Sequence, residues 1–370
     1  MKLFTAISTA ALAATLSACA THDKNHLVIK EQGSFAAGGT VKTSEGTYSA
    51  ALPPGLKPDS NPFWDVYNAS VKAGGQTLHG DHASVFYQVP AKARPYPMVF
   101  LHGYGQSARS WQTTADGREG FQNIFLRKGY PVYLVDQPRR GQAGRSSVAA
   151  QIPATPDDQL WYAQFRIGEY PALNEGVAFP RDKAALEAFF RAITPDTGAF
   201  DAQLITDRMV KVFEKSGDGI LVTHSAGGVI GWLTAMQSPK IKAVVAYEPG
   251  SFPFPEGQVP QAVKNRFGDV APMTAKAEDF KKLTQIPIVI YFGDFIPAAP
   301  NGTQGGDQWH ARQSLAQQWV DVVNRHGGKA TLVRLPDMGI KGNTHFPFSD
   351  LNNVQVAEHL AAWLKAQGLD

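Results

Sequence analysis

Residues 219–228 read Gly219-Ile220-Leu221-Val222-Thr223-His224-Ser225-Ala226-Gly227-Gly228. The apolar run Ile220–Val222 is bounded by turn residues, and Gly227-Gly228-Val229-Ile230-Gly231-Trp232-Leu233 follows. That order predicts a buried strand, a sharp turn and a helix. Ser225 falls at the turn, beside the first free N–H groups of the helix. A hydroxyl there is well placed to act as a nucleophile: a base can take its proton, and the N–H groups can hold the charge that develops. The plainer reading is a βα turn with a capping serine.

This turn approximates Gly-x-Ser-x-Gly, the nucleophile elbow. Thr223 stands where the first glycine would be, and Gly227 keeps the second. Ala226, Gly227 and Gly228 leave room for close strand–helix packing.

Around that turn, strand and helix patterns alternate from Pro97 onward. The predicted strands are Met98–Leu101, Val132–Val135, Ile220–Val222, Ala243–Tyr247, Ile288–Phe292 and Thr331–Leu335. They are short and apolar, as strands of a sheet buried on both faces are. The predicted helices are Phe121–Lys128, Asp201–Lys215, Gly227–Gln237, Gln308–Arg325 and Leu351–Gln367, the last opened by Ser349 or Asp350. The alternation predicts one doubly wound α/β sheet, whose ligands bind at the carboxyl ends of the strands. Antiparallel strands are expected within Gln76–Pro90 and an edge strand near Thr47–Leu52.

The first parallel strand runs into His102-Gly103-Tyr104-Gly105-Gln106-Ser107-Ala108. As Gly103-x-Gly105-x-x-Ala108 this mimics a dinucleotide fingerprint, with Asp136 as ribose ligand. As His-Gly followed by a residue whose amide faces the nucleophile, it is an oxyanion loop. At least one strand precedes it, and Asp136 leads into a Gly- and Arg-rich turn (137–146), so the second reading is preferred.

His102-Gly103, Asp136-x-x-x-Arg140-Gly141-x-x-Gly144-x-Ser146, His224-Ser225-x-Gly227-Gly228 and a late His345 occur in the order of the α/β-hydrolase superfamily. The resemblance covers about Met98 to Leu364. It implies an eight-stranded, mostly parallel sheet and a serine hydrolase acting on carboxylic esters or related acyl bonds, with a lid over the site. It departs from the usual pattern at Thr223. His345 would be the base, on the loop between the last strand and the closing helix. The acid would be Glu248, after Ala243–Tyr247, or Asp294, after Ile288–Phe292. Bacterial esterases with a glutamate after strand six and a Gly-Asn-x-His loop are the more similar subgroup, which favours Glu248. The oxyanion donors would be the backbone amides of Tyr104 and Ala226.

Residues 139–200 break the rhythm and carry Trp161, Tyr162, Phe165, Arg166, Tyr170, Phe179, Phe189 and Phe190. They are expected to form a helical lid whose aromatics either line an apolar pocket or make the lid's own core. Residues 251–282 read as a second insertion, and Pro297–Asp307, with Gly305-Gly306, as a rim loop. No histidine pair has metal-ligand spacing backed by carboxylates, so neither metal nor cofactor is expected. An NAD(P)-binding oxidoreductase using the Gly103 loop and a non-catalytic ligand-binding surface protein stand as alternatives.

Of the 370 residues 43% are hydrophobic and 18% charged, enough for a large core. The net charge is +3, scattered along the chain, which disfavours a nucleic-acid partner. Residues 1–19 read as a lipoprotein-type signal segment: Lys2, then the apolar run Leu3–Leu16, then Leu16-Ser17-Ala18-Cys19, which resembles the bacterial lipobox. Cys19 is the single cysteine. Lipidation there would anchor the protein by acyl chains alone. Because Ala20 and Thr21 lack the aspartate of inner-membrane retention, the outer membrane or periplasm is expected. Cleavage after Ala20, releasing a soluble protein, is the alternative. Residues 20–62 read as a tether and 63–370 as the hydrolase domain.

Overall fold

The computed structural model describes residues 26–57 and 61–370. The leader, Cys19 and the residue after it therefore lie outside the described residues.

Eight strands form the central sheet: β1 (Ile29–Ala37), β2 (Ala83–Pro90), β3 (Met98–Leu101), β4 (Val132–Asp136), β5 (Gly219–His224), β6 (Ile241–Tyr247), β7 (Pro287–Phe292) and β8 (Lys329–Arg334). Their spatial order is β1-β2-β4-β3-β5-β6-β7-β8. β2 pairs antiparallel with both of its neighbours, β1 and β4, and the remaining neighbours pair in parallel. The helices are α1 (Phe63–Lys72), α2 (Phe121–Arg127), α3 (Asp158–Gln164), α4 (Lys183–Arg191), α5 (Ala202–Ser216), α6 (Gly227–Gln237), α7 (Ala277–Leu283), α8 (Gln304–Arg325) and α9 (Asn353–Ala366).

The central parallel strands are apolar along most of their length because both faces are covered. Leu221, Val244 and Ala246 face a core shared with Met209 of α5, Ile230 and Trp232 of α6 and Trp319 of α8. Ile220, Val222, Val245 and Tyr247 face the opposite core, with Phe121 and Phe125 of α2 and Leu360 and Leu364 of α9. Successive side chains point to opposite faces, so each strand serves both layers.

Two expectations are corrected. Residues Thr47–Leu52 form no strand: Tyr48 and Leu52 are exposed and have no core to face. The edge strand is β1, inside the stretch read as a tether, paired from Ile29↔Pro90 to Ala37↔Ala83. Its solvent face is polar and its inner positions include Gly33, so its alternation is faint; Phe35 packs on Tyr87 and Tyr133. The second correction concerns Gly305-Gly306, which lie in the first turn of α8 rather than in a rim loop. A Cβ on Gly305 would sit 2.2 Å from the Ala163 carbonyl oxygen. The glycine is there so that α3 can approach α8.

The stretch after β4 carries α3, α4 and a short hairpin pairing Gly168–Glu169 with Ala172–Leu173. The stretch after β6 pairs Pro253–Pro255 with Met273–Ala275.

Candidate active site

Ser225 sits between β5 and α6 with φ +53°, a conformation that side-chain-bearing residues seldom adopt. The turn is held on three sides. Ser225 N donates to the Tyr247 carbonyl (2.9 Å), and its own carbonyl accepts from Gly228 N (2.9 Å) and Gly250 N (3.2 Å). The missing first glycine of the pentapeptide has a structural substitute: a Cβ on Gly231 would meet Thr223 Cγ2 at 2.7 Å. The room usually made on the strand is made one helical turn later. Ala226, at the start of α6, already has helical φ and ψ, so its amide belongs to the free helix end.

Glu248 follows β6 with φ +46° and is fully buried. Its Oε2 lies 2.5 Å from His345 Nδ1. Its Oε1 accepts from Gly293 N (2.7 Å) and from Arg166 Nη2 (2.5 Å). Burial alone would push this carboxyl up; Arg166 and His345 outweigh it and hold the group below the ordinary glutamate range. Asp294, the alternative acid, is committed elsewhere. Its Oδ1 accepts from Phe295 N and its Oδ2 from Gly342 N, both 2.8 Å. It ties the β7 loop to the histidine loop and does not meet His345. Arg166 also has positive φ, +60°. Three of the six non-glycine residues with positive φ among the described residues are thus Arg166, Ser225 and Glu248. Strain of this kind concentrates at functional sites.

His345 is 1% exposed. Its N–H donates to the Phe165 carbonyl (3.0 Å), and its carbonyl accepts from His224 Nε2 (2.8 Å). The ring stacks on Phe165 (5.4 Å, 15°) and packs on Trp309 (4.2 Å). Burial pushes the imidazole below its ordinary pKa; Glu248 opposes this, and Arg166 and Arg312 add to it. The loop is clamped by Asp350, which accepts from Thr344 N (2.7 Å), Thr344 Oγ1 (2.9 Å) and Asn343 Nδ2 (3.2 Å). The expected role of Ser349 or Asp350 as cap of the last helix is corrected: the cap position is Asn352.

The His102–Ala108 loop passes over the serine. A Cβ on Gly103 would lie 2.8 Å from Ser225 Cβ. Gln106 Oε1 accepts from Gly103 N (2.8 Å), and Arg140 Nη1 donates to the carbonyls of Gly103 and Gln106 (both 3.1 Å). Asp136 accepts from Ala108 N (2.6 Å) and Gln142 N (2.8 Å) and is buried. A ribose ligand needs a free carboxylate, so the dinucleotide reading of this loop is set aside. His102 is buried and pushed down to about 3 by that burial; like His224, it supports the loops.

Ser225, Ala226, Tyr104 and His345 line one cleft with Trp161, Phe165, Trp309 and Arg312. An apolar pocket shares Tyr104, Trp161 and Phe165 with it and continues past Phe189, Phe346 and Phe348. Trp161, Phe165 and Phe189 of the 139–200 insertion therefore face the cleft or this pocket, while Tyr162 lies in the core. Sequence reasoning missed Trp309, Arg312, Gln106 and Asp350 as site residues. Trp309 and Arg312 lie three apart on one helix, a spacing that puts them on the same face.

The model of the α/β hydrolase family matches residues 98–363. The chain belongs to the α/β-hydrolase family. Two relatives of this hydrolase are close in length. A bacterial esterase of known atomic-resolution structure is 30% identical, with a TM-score of 0.70 over 92% of this chain and 97% of that one. A probable secreted lipase, phiG, of a fungus (Fungal sp., strain ATCC 74256) is 26% identical over 319 residues, 74% of this chain and 83% of the relative.

Proposed function

We propose that this hydrolase cleaves carboxylic esters through an acyl-enzyme, with Ser225 as nucleophile, His345 as base and Glu248 as the acid that orients it. The 2.5 Å contact between Glu248 Oε2 and His345 Nδ1, in a cleft that Ser225 also lines, carries the reading. A carboxylate on Nδ1 keeps the proton there, leaves Nε2 free to accept, and stabilises the imidazolium once it forms. Ser225 Oγ bonds to the acyl carbon while Nε2 takes its proton. The C–O bond to the alcohol breaks as the imidazolium returns that proton to the leaving oxygen. Water then adds to the acyl carbon by the same relay, the acid departs, and Ser225 recovers its proton. The amides of Tyr104 and Ala226 hold the oxyanion at both additions.

The relatives named esterase and lipase support the substrate class. The apolar pocket past Trp161 and Phe165 is the place for an acyl or alcohol chain, and the 139–200 insertion is its lid. We also propose export: the first 20 residues carry a signal pattern and a relative is named as secreted. Lipidation at Cys19 would make the membrane a partner through an anchor only. Among the described residues no helix is long and apolar enough to cross a membrane.

Hydrolysis of p-nitrophenyl acyl esters of graded length tests the reading. Turnover that disappears in both Ser225→Ala and His345→Ala is expected. Turnover that survives Ser225→Ala overturns it, and absence of turnover on every ester favours a non-catalytic binding protein.

A further inference from the structure

Arg312 is an unexplained charge. It lies on α8, lines the cleft with Ser225 and His345, and is half-buried. Its guanidinium packs over the Trp309 ring (5.0 Å), whose other contacts include His345. Its Nη1 donates to the Gln308 carbonyl (3.0 Å) and to Gln308 Oε1. That amide is itself fixed, because its Nε2 donates to the Phe267 carbonyl (2.6 Å). The side chain is held in place, and every group holding it is neutral.

No carboxylate pairs with Arg312 among the described residues. Glu248 is the acidic group that acts on it electrostatically, yet Glu248 already serves Arg166, Gly293 N and His345. With His345 neutral, the two arginines and one glutamate leave this cleft with one positive charge to spare. Even partial burial of a cation without a counter-charge is costly, and a carboxylate partner would offset that cost. Desolvation is marked enough to push the arginine down to about 10.

We propose that Arg312 is a specificity-determining residue that binds a carboxylate carried by the substrate, so that the cleft selects anionic esters. The proposal rests on the hydrolase reading and deepens it. The site is then bipolar: the apolar part of the substrate enters the pocket past Trp161 and Phe165, and the carboxylate meets Arg312 on the side of Gly250 and Gln308. A planar guanidinium stacked on an aromatic ring is suited to carboxylate recognition, and its partial withdrawal from water strengthens the pairing.

The test compares matched esters in the full-length protein. p-Nitrophenyl hemiglutarate against p-nitrophenyl pentanoate places the charge on the acyl side. 4-(Pentanoyloxy)benzoate against phenyl pentanoate places it on the alcohol side. In one of the pairs the wild type is expected to prefer the anion by roughly 10- to 100-fold in kcat/KM, the worth of one charge-assisted hydrogen-bonded pair. Arg312→Gln should collapse that ratio toward one, and Arg312→Lys should keep part of it. Glutarate should inhibit neutral-ester hydrolysis competitively in the wild type, which tests the site even if Arg312→Gln does not fold. Equal losses on both members of each pair, or no inhibition by glutarate, overturn the proposal and leave Arg312 as a general electrostatic support. Turnover of neutral esters without any preference defeats the proposal alone. No turnover of any ester defeats the hydrolase reading together with it.

Discussion

Replacing Glu248 with glutamine isolates the role assigned to the acid, and the structure fixes what the amide must do. Both Gly293 N and Arg166 Nη2 donate to Oε1. In Glu248→Gln the amide oxygen must occupy that position, because an NH2 group there would face two donors. The amide nitrogen then takes the place of Oε2, 2.5 Å from His345 Nδ1 in the wild type. A donor facing Nδ1 forces the proton onto Nε2, and the histidine can no longer accept from Ser225. The wrong tautomer lowers kcat by about 10⁴ in a serine protease of the same logic, equivalent to about 5 kcal/mol of barrier. KM should change little. Arg166, 3% exposed, also loses its counter-charge, and breaking a buried pair costs roughly 3–5 kcal/mol of stability. The assay is steady-state hydrolysis of a neutral p-nitrophenyl ester beside a thermal unfolding curve. Asp294→Asn is the comparison: its NH2 must face either the Phe295 or the Gly342 amide, which weakens the loop tie but turns no donor toward His345, and kcat should stay within about tenfold. If Glu248→Gln keeps kcat within tenfold while Asp294→Asn loses it, the assignment is refuted.

Other consequences are as direct. Gly103→Ala puts a methyl group 2.8 Å from Ser225 Cβ and should lower kcat by about 10², the effect of misplacing a reacting group by about 1 Å; unchanged kcat would mean the loop is not seated on the serine. Burial and the two arginines hold His345 below its ordinary value, so kcat/KM should rise through an acid limb below about pH 6.5 and stay level at neutral pH; a limb centred above pH 7 contradicts this. Burial pushes Asp350 up to about 7. Its folded value lies above its unfolded one, so the stability linked to its protonation is full below about pH 4 and is lost as pH rises through 7. The stability of Asp350→Asn relative to wild type should therefore improve from pH 5 to pH 8, and a flat difference across that range would be inconsistent.

Much of this was legible in the chain because local pattern and global fold agree. Met98–Leu101 and Gly227–Gln237 begin and end as their patterns predict, since an apolar run with turn residues at both ends has one economical fate in a two-sided sheet. Ser225, Glu248 and His345 could be named as candidates because each ends or follows a predicted strand. What could not be read depends on distant partners. β1 is half solvated and carries little apolar signal; its place is set by pairing with β2. Gly305-Gly306 looks like a loop until α3 is seen against it. Asp350 has the look of a helix cap, and only the fold turns its carboxylate to Thr344. Trp309 and Arg312 lie on a helix whose amphipathic pattern does not distinguish a core face from a cleft face. Arg166 stands in the sequence only as a charge among the aromatics of residues 139–200, with nothing to link it to Glu248. In the fold Glu248 meets both Arg166 and His345.

The central claim is that Ser225 becomes covalently acylated. Reaction of the mature protein with a fluorophosphonate probe, followed by peptide mapping, tests it in one step. The account predicts a single adduct on the peptide carrying Ser225, with loss of ester hydrolysis in proportion to labelling and no adduct in Ser225→Ala. An adduct on another residue, or an unlabelled protein that still hydrolyses esters, would contradict it.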